Sequence, residues 1–305
     1  MSDYLIGGSP AIKRIKASLK IFSGDTSPLV IIGEPGVGKS LLSSRIHAHS
    51  VLKDRDLETV NFKILSERDQ RVRLLGGNPP ELPTTRRSIL ELPTTVVLKH
   101  IDCAPKFLQE RLTEAIHKRE IARLGSDEAR PIRCRKIFVF NDTPNELFRK
   151  GTIISELSKT ISKYHIIKLP PLKKRKEDIP ELAQHFFTQF QMQRRKKIDH
   201  KFLKLLLKHK WEMNILSLKS FIRTLYIPPV EIAIQQNDQI ELAKMNLMID
   251  EGKEFSMKEE ISRLEQLAAK RALNINANCR TQTAQDLGMS DFTLRQLVKS
   301  LGKRI

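Results

Sequence analysis

The stretch Gly33-Glu34-Pro35-Gly36-Val37-Gly38-Lys39-Ser40 sits between the apolar run PLVII at 28–32 and the helix-forming segment LLSSRIHAHS at 41–50. No other feature narrows the fold so far. A G-x-x-x-x-G-K-[ST] pattern between strand and helix turns backbone N–H groups inward around phosphate oxygens, at the electropositive start of the helix. Lys39 can then reach the β and γ oxygens, and Ser40 can ligate Mg²⁺. The expectation is a parallel α/β unit that binds ATP or ADP with Mg²⁺. Its nucleotide-binding residues are Gly33, Glu34, Pro35, Gly36, Val37, Gly38, Lys39 and Ser40, with Ser40 as the metal ligand through the nucleotide.

The rest of the first 168 residues agrees with that unit. TVVL at 95–98 and IFVF at 137–140 read as strands buried on both faces, as parallel sheets require. Helices are predicted over 9–21, where Ile12, Ile15, Leu19 and Ile21 follow a Ser-Pro start, and over 104–121. Beyond Pro170 and Pro171 the period changes. Ile179, Leu182, Phe186 and Phe190 recur at helical spacing, a second helix runs through FLKLLLKHK, and a third covers 214–226. Residues 233–256 are mixed and polar and read as a linker. The segment 257–305 is helical again.

Composition narrows the partners. The 305 residues carry 54 Lys and Arg against 35 Asp and Glu, a net charge of +19. Such a balance points to a polyanion bound through phosphate contacts. The cations gather at 170–178, 193–201 and 298–305; those at 173–176 and 194–197 read as solvated helix charges before they read as DNA contacts. No apolar run reaches the length of a membrane span, and MSDYLIGGSP is not a signal peptide. Cys103, Cys134 and Cys279 lack disulfide or zinc spacing. A cytoplasmic protein with reduced thiols is expected.

RTQTAQDLGMSDFTLRQLVKSLG at 280–302 has the layout of a helix-turn-helix. Ala284 is small where two helices must meet, Leu287 is apolar, Gly288 makes the turn and Met289 plugs it. Ser290 caps the next helix, whose Leu294 and Leu297 face inward. DNA contacts are therefore assigned to Thr281, Ser290, Asp291, Phe292, Thr293, Arg295, Gln296 and Lys299, with Arg and Gln suited to base edges and Lys to phosphate. A purely structural helical bundle is the alternative.

Several segments together resemble a known family. IIGEPGVGKSLLSSRIHAHS, LPPLKKRKEDIPELAQHFF at 169–187 and KWEMNILSLKSFI at 210–222 are similar to the AAA+ domain of the NtrC-like enhancer-binding activators, which work with the alternative sigma factor sigma-54. The ending resembles the Fis-type DNA-binding domain of that family. The resemblance implies an AAA+ α/β nucleotide-binding subdomain over 1–168, a helical lid over 169–232, a linker over 233–256 and a Fis-type helix-turn-helix over 257–305. It resembles in particular the short members that start directly with the AAA+ domain, without a sensory domain. In Fis-type domains the helix at 257–273, with Ile261, Leu264, Leu267 and Ala268 on one stripe, would make the interface of a homodimer.

The same resemblance exposes departures. Where the family ends a strand in Asp-Glu, this chain has Leu98-Lys99-His100, and Asp102 falls one register late. IISELSKTI at 153–161 lacks the arginine given to a neighbouring subunit, and the lid arginine falls on Leu216. The sigma-54-contacting loop motif is missing from 74–95, which reads LLGGNPPELPTTRRSILELPTT. Asn141 and Asn61 match family asparagines that sense the γ-phosphate, although each is equally readable as an ordinary strand-end residue. The resulting expectation is a double-stranded-DNA-binding, nucleoid-associated regulator whose ATPase activity is lost. It would act without loop engagement of sigma-54, with RNA polymerase or another regulator as partner. An active ATPase remodelling sigma-54 polymerase, and a nucleotide-responsive or partner-binding scaffold, are the alternatives.

Overall fold

The structure, a computed structural model, describes residues 5–77, 84–190, 200–224, 269, 273, 284, 294 and 295. The chain divides into two compact units, Met1–Glu241 and Leu242–Ile305.

The first unit is built on five parallel strands in the order β2-β3-β6-β1-β7. In chain order these are β1 (Leu29–Ile32), β2 (Glu58–Asn61), β3 (Thr95–Lys99), β6 (Arg135–Phe140) and β7 (His165–Lys168), with a separate hairpin of β4 (Glu120–Ala122) and β5 (Ala129–Pro131). The central strands separate two apolar clusters through the period of two. Val30, Ile32, Val96, Leu98, Phe138 and Phe140 face one side, while Leu29, Ile31, Val97, Ile137 and Val139 face the other. Helices α1 (Pro10–Ser23) and α2 (Lys39–Ala48) cover the second side through Ile12, Ile15, Leu42 and Ile46. Helices α4 (Lys106–Lys118) and α6 (Ser155–Ser162) cover the first through Leu108, Leu112, Leu157 and Ile161. The remaining helices beside the sheet are α3 (Glu67–Leu75) and α5 (Pro144–Arg149).

Beyond β7 the chain makes two 3₁₀ turns, Leu172–Lys174 and Lys176–Asp178, and then α7 (Ile179–Phe190), α8 (His200–Lys208) and α9 (Asn214–Thr224). This layer is pinned to the start of the chain. Asp178, fully buried, accepts from the Ser9 backbone N–H and from Ser9 Oγ, each at 2.7 Å. Gly7 makes that approach possible. Its φ is +132°, and a Cβ there would lie 2.7 Å from the Asp178 carboxyl carbon. At the other end of α1, buried Arg135 donates to the Phe22 carbonyl at 3.0 Å, closing the last turn of the helix.

One expectation about charge is corrected here. Arg175, inside the basic run at 173–176, is only 1% exposed, while Lys173, Lys174 and Lys176 are exposed. A buried guanidinium must find acceptors inside the fold, and so this residue belongs to packing rather than to a solvated face.

In the second unit Ala269, Leu273, Ala284, Leu294 and Arg295 are helical. Ala269, Ala284 and Leu294 are buried together with Leu273 packed against them. Ala284 and Leu294 thus point inward as their place in the sequence pattern requires, and Arg295 is exposed. The other assigned DNA contacts (Thr281, Ser290, Asp291, Phe292, Thr293, Gln296 and Lys299), the dimer stripe at 261–268 and Cys279 lie outside the described residues. Among the described residues, no helix is long and apolar enough to cross a membrane.

Asp178→Ala removes a charged acceptor of two buried donors, so unfolding stability is expected to drop by roughly 2–4 kcal/mol. A thermal or urea melt unchanged from wild type would show that the Ser9–Asp178 latch carries no weight.

Candidate nucleotide site

The C-terminal ends of β1, β3 and β6 meet at one edge of the sheet, where open parallel sheets bind ligands. The loop leaving β1 turns through Gly36 (φ +77°) and Gly38 (φ +106°) before Lys39 starts α2. Gly36 has a second reason to lack a side chain. A Cβ there would sit 1.9 Å from the Met213 carbonyl oxygen.

The helical layer is hydrogen-bonded directly to this loop. Asn214, 1% exposed with φ +53°, donates through Nδ2 to the Pro35 carbonyl at 2.9 Å and to Glu34 Oε2 at 3.2 Å. Its Oδ1 accepts from the Leu172 N–H at 2.7 Å. The Ile215 N–H donates to the Gly36 carbonyl at 3.1 Å, and Arg175 Nη2 to the Val37 carbonyl at 2.8 Å. Lys173 stands 3.6 Å from Glu34. Neither Asn214 nor Arg175 was singled out from sequence. The signal was present in both cases, since each lies inside a stretch used to establish the family resemblance. Leu216, at the position of the family's lid arginine, is half exposed beside Gly36.

Lys39 is folded onto its own loop. Its ammonium donates to the Gly33 carbonyl at 2.5 Å, to the Glu34 carbonyl at 3.0 Å and to Asn141 Oδ1 at 2.9 Å. Burial pushes the Lys39 ammonium down to about 8, with Glu34 opposing and Lys99 adding to the fall. Asn141 is therefore brought to the lysine of the loop. Asn61, opposite Lys99 across β2 and β3, instead accepts from the Lys63 N–H at 3.1 Å, a turn at a strand end.

Lys99 ends β3 and donates to Ser40 Oγ at 2.9 Å. His100 follows in the left-handed region (φ 57°), its N–H bonded to the Val139 carbonyl. Burial lowers the His100 imidazole, and Asp102 acts the other way. Asp102 itself lies past the strand, in the 3₁₀ turn Ile101–Cys103, with Oδ1 buried and unpartnered. These side chains do not fit the expected Mg²⁺. The Ser40 hydroxyl that would ligate it faces an ammonium, and among the described residues no group of three or more His, Cys, Asp or Glu could hold a metal.

Comparison with known proteins places this geometry in context. Residues 5–167 match the family described as the sigma-54 interaction domain, and residues 173–260 match the AAA+ ATPase lid domain. Relatives include the putative transcriptional regulatory protein y4pA of Sinorhizobium fredii, 30% identical over 228 residues, 72% of this chain and 36% of that protein. The nitric oxide reductase transcription regulator NorR1 of Cupriavidus necator is 26% identical over 98% of this chain and 64% of its own length. Regulatory protein AtoC of Escherichia coli is 29% identical over 98% of this chain and 68% of its own length. The chain thus spans about a third to two thirds of these relatives. In fold it is similar to NtrX from Brucella abortus, solved in complex with ADP, with a TM-score of 0.67 and 21% identity over 99% of this chain and 70% of that one.

The match over residues 5–167 corrects one expectation. Loss of ATPase activity was inferred from Lys99, His100 and the missing arginines. Sigma-54 interaction domains are typically ATPases, and this chain matches that domain over its whole α/β part. Lost activity does not follow from the substituted positions.

Two outcomes follow from the geometry. Asn214→Ala leaves the Pro35 and Leu172 backbone groups unpaired and strains a positive φ, so it should cost about 2–3 kcal/mol, with Asn214→Gly costing less. Equal melting points for the two variants would deny the backbone contribution. Because phosphate holds Lys39 charged, binding takes up a proton above about pH 8, and nucleotide affinity falls between pH 7 and pH 9. Calorimetric titration at pH 8.5 in buffers of different ionisation enthalpy reads that uptake directly; identical heats would rule it out.

Proposed function

The chain belongs to the sigma-54 interaction domain family, and from that membership we propose that it is a transcription regulator whose AAA+ domain binds ATP or ADP and whose C-terminal unit binds double-stranded DNA as a homodimer. The setting is the bacterial cytoplasm, on nucleoid DNA. The observation that carries the reading is the direct bonding of the helical layer to the phosphate loop through Asn214, Ile215 and Arg175. A phosphate that rearranges the loop changes the partners of three lid groups at once. A nucleotide can thereby shift the population of lid positions, as far as its affinities for them differ. ADP is bound by NtrX, a protein of similar fold.

The partner reading rests on a second feature. The segment between Gly77 and Arg86, where the activators carry the loop that touches sigma-54, has its ends tied by reciprocal N–H···O=C bonds of 2.8 Å each. The far end is braced further. Ser88 and Glu91 form a capping box, and Glu91 pairs with Arg123 at 2.5 Å, both side chains nearly buried. A connection this short in sequence, with both its ends tied, supports regulation through RNA polymerase or another regulator without that loop. A second reading, a remodelling ATPase for sigma-54 polymerase, is favoured by the family match over residues 5–167. Open-complex formation at a sigma-54 promoter separates the two readings, because only the second predicts it.

DNA binding is tested on the full chain by footprinting with and without ATP or ADP. Arg295→Ala should weaken specific binding by about 1–3 kcal/mol and relax the preferred site. An unchanged footprint and affinity would remove Arg295 from the recognition surface.

A further inference from the structure

We propose that this site binds the phosphates of a nucleoside di- or triphosphate without a divalent cation, with the Lys99 ammonium supplying the positive charge beside Ser40. The inference rests on the nucleotide-binding reading and concerns what holds the nucleotide, not whether it turns over.

Three observations carry it. First, Lys99 Nζ lies 2.9 Å from Ser40 Oγ. Mg²⁺ on that hydroxyl would sit about 2.1 Å from the oxygen in near-ideal octahedral geometry. It would share its coordination shell with an ammonium that can supply no lone pair. Second, the acids that would offset such a crowd are elsewhere. Glu34 is engaged by Asn214 and Lys173, and Asp102 lies beyond the strand in its own turn. Third, the position of Lys99 is fixed by the sheet. It closes β3 in register with Asn61 on one side and Val139 on the other, so its stem leaves the ligand-binding edge and the ammonium ends at the first turn of α2. An ammonium there donates three hydrogen bonds. One reaches Ser40 and the others remain able to turn toward phosphate oxygens, next to the Lys39 ammonium and the α2 N-terminus. A polyphosphate then meets two side-chain cations and a helix start, where related loops offer one lysine and a metal.

The test is equilibrium binding of ADP and of a non-hydrolysable ATP analogue to the full chain, in excess EDTA and in millimolar Mg²⁺. Kd is expected to agree within about twofold between the two media, since the site gains nothing from the metal. Lys99→Met should weaken binding about ten- to a hundredfold in both, the loss of one charge-assisted contact. Lys99→Asp should bind poorly in EDTA and recover with Mg²⁺. Thermal melts check that each variant is folded, and the wild-type comparison needs no variant. Binding by wild type that appears only with Mg²⁺ overturns the inference and leaves the nucleotide reading standing. Absence of binding in both media overturns both.

Discussion

A single buried amide sets the shape of the phosphate loop. Asn214 offers two donors and one acceptor to backbone and side-chain groups from the loop and from the turn before α7. The Leu172 N–H among them is buried and would be expensive to leave unpaired, on the order of 1–3 kcal/mol. The loop, the turn and α9 are therefore one mechanical unit. Gly36 follows from it, because the chain carrying Asn214 passes so close that no Cβ fits. Even the left-handed backbone at Asn214 is compatible with its residue type, asparagine being among the few that adopt it readily.

Much of the α/β part was legible in the sequence, and the reason is burial on both faces. β1, β3 and β6 lie at the centre of the sheet, where nearly every position must be apolar, and their runs stand out. The edge strands do not. β2 is ETVN and β7 is HIIK, each with one fully buried position. A strand paired on one side only, with a face left to solvent, has no need of an apolar run. The pairing of β7 with β1 is thus a product of tertiary packing, not of local pattern.

The candidate site was legible at the loop and not at its supports. Gly33 to Ser40 announce themselves because phosphate chemistry fixes their spacing. Arg175 was hidden by its neighbours, since three exposed lysines around it make one buried guanidinium look like a fourth solvated charge. Asp178 was hidden by distance, its partner Ser9 lying at the other end of the unit. Lys99 was visible as an oddity. Its contact with Ser40 gives that oddity a physical meaning, the placing of a cation rather than the simple loss of an acid.

Lys39 already bonds the Gly33 and Glu34 carbonyls and Asn141. Arrival of an anion is therefore an exchange, in which the lysine gives up internal acceptors before it can reach an external one. Association would then be limited by how often the side chain swings outward. The observed rate would level off at high ligand concentration instead of rising in proportion to it. The same swing would release Asn141, at the end of the strand beside β1, and the Glu34 carbonyl, whose residue is bonded to Asn214, so occupancy would be felt by the sheet and by the helical layer through one side chain.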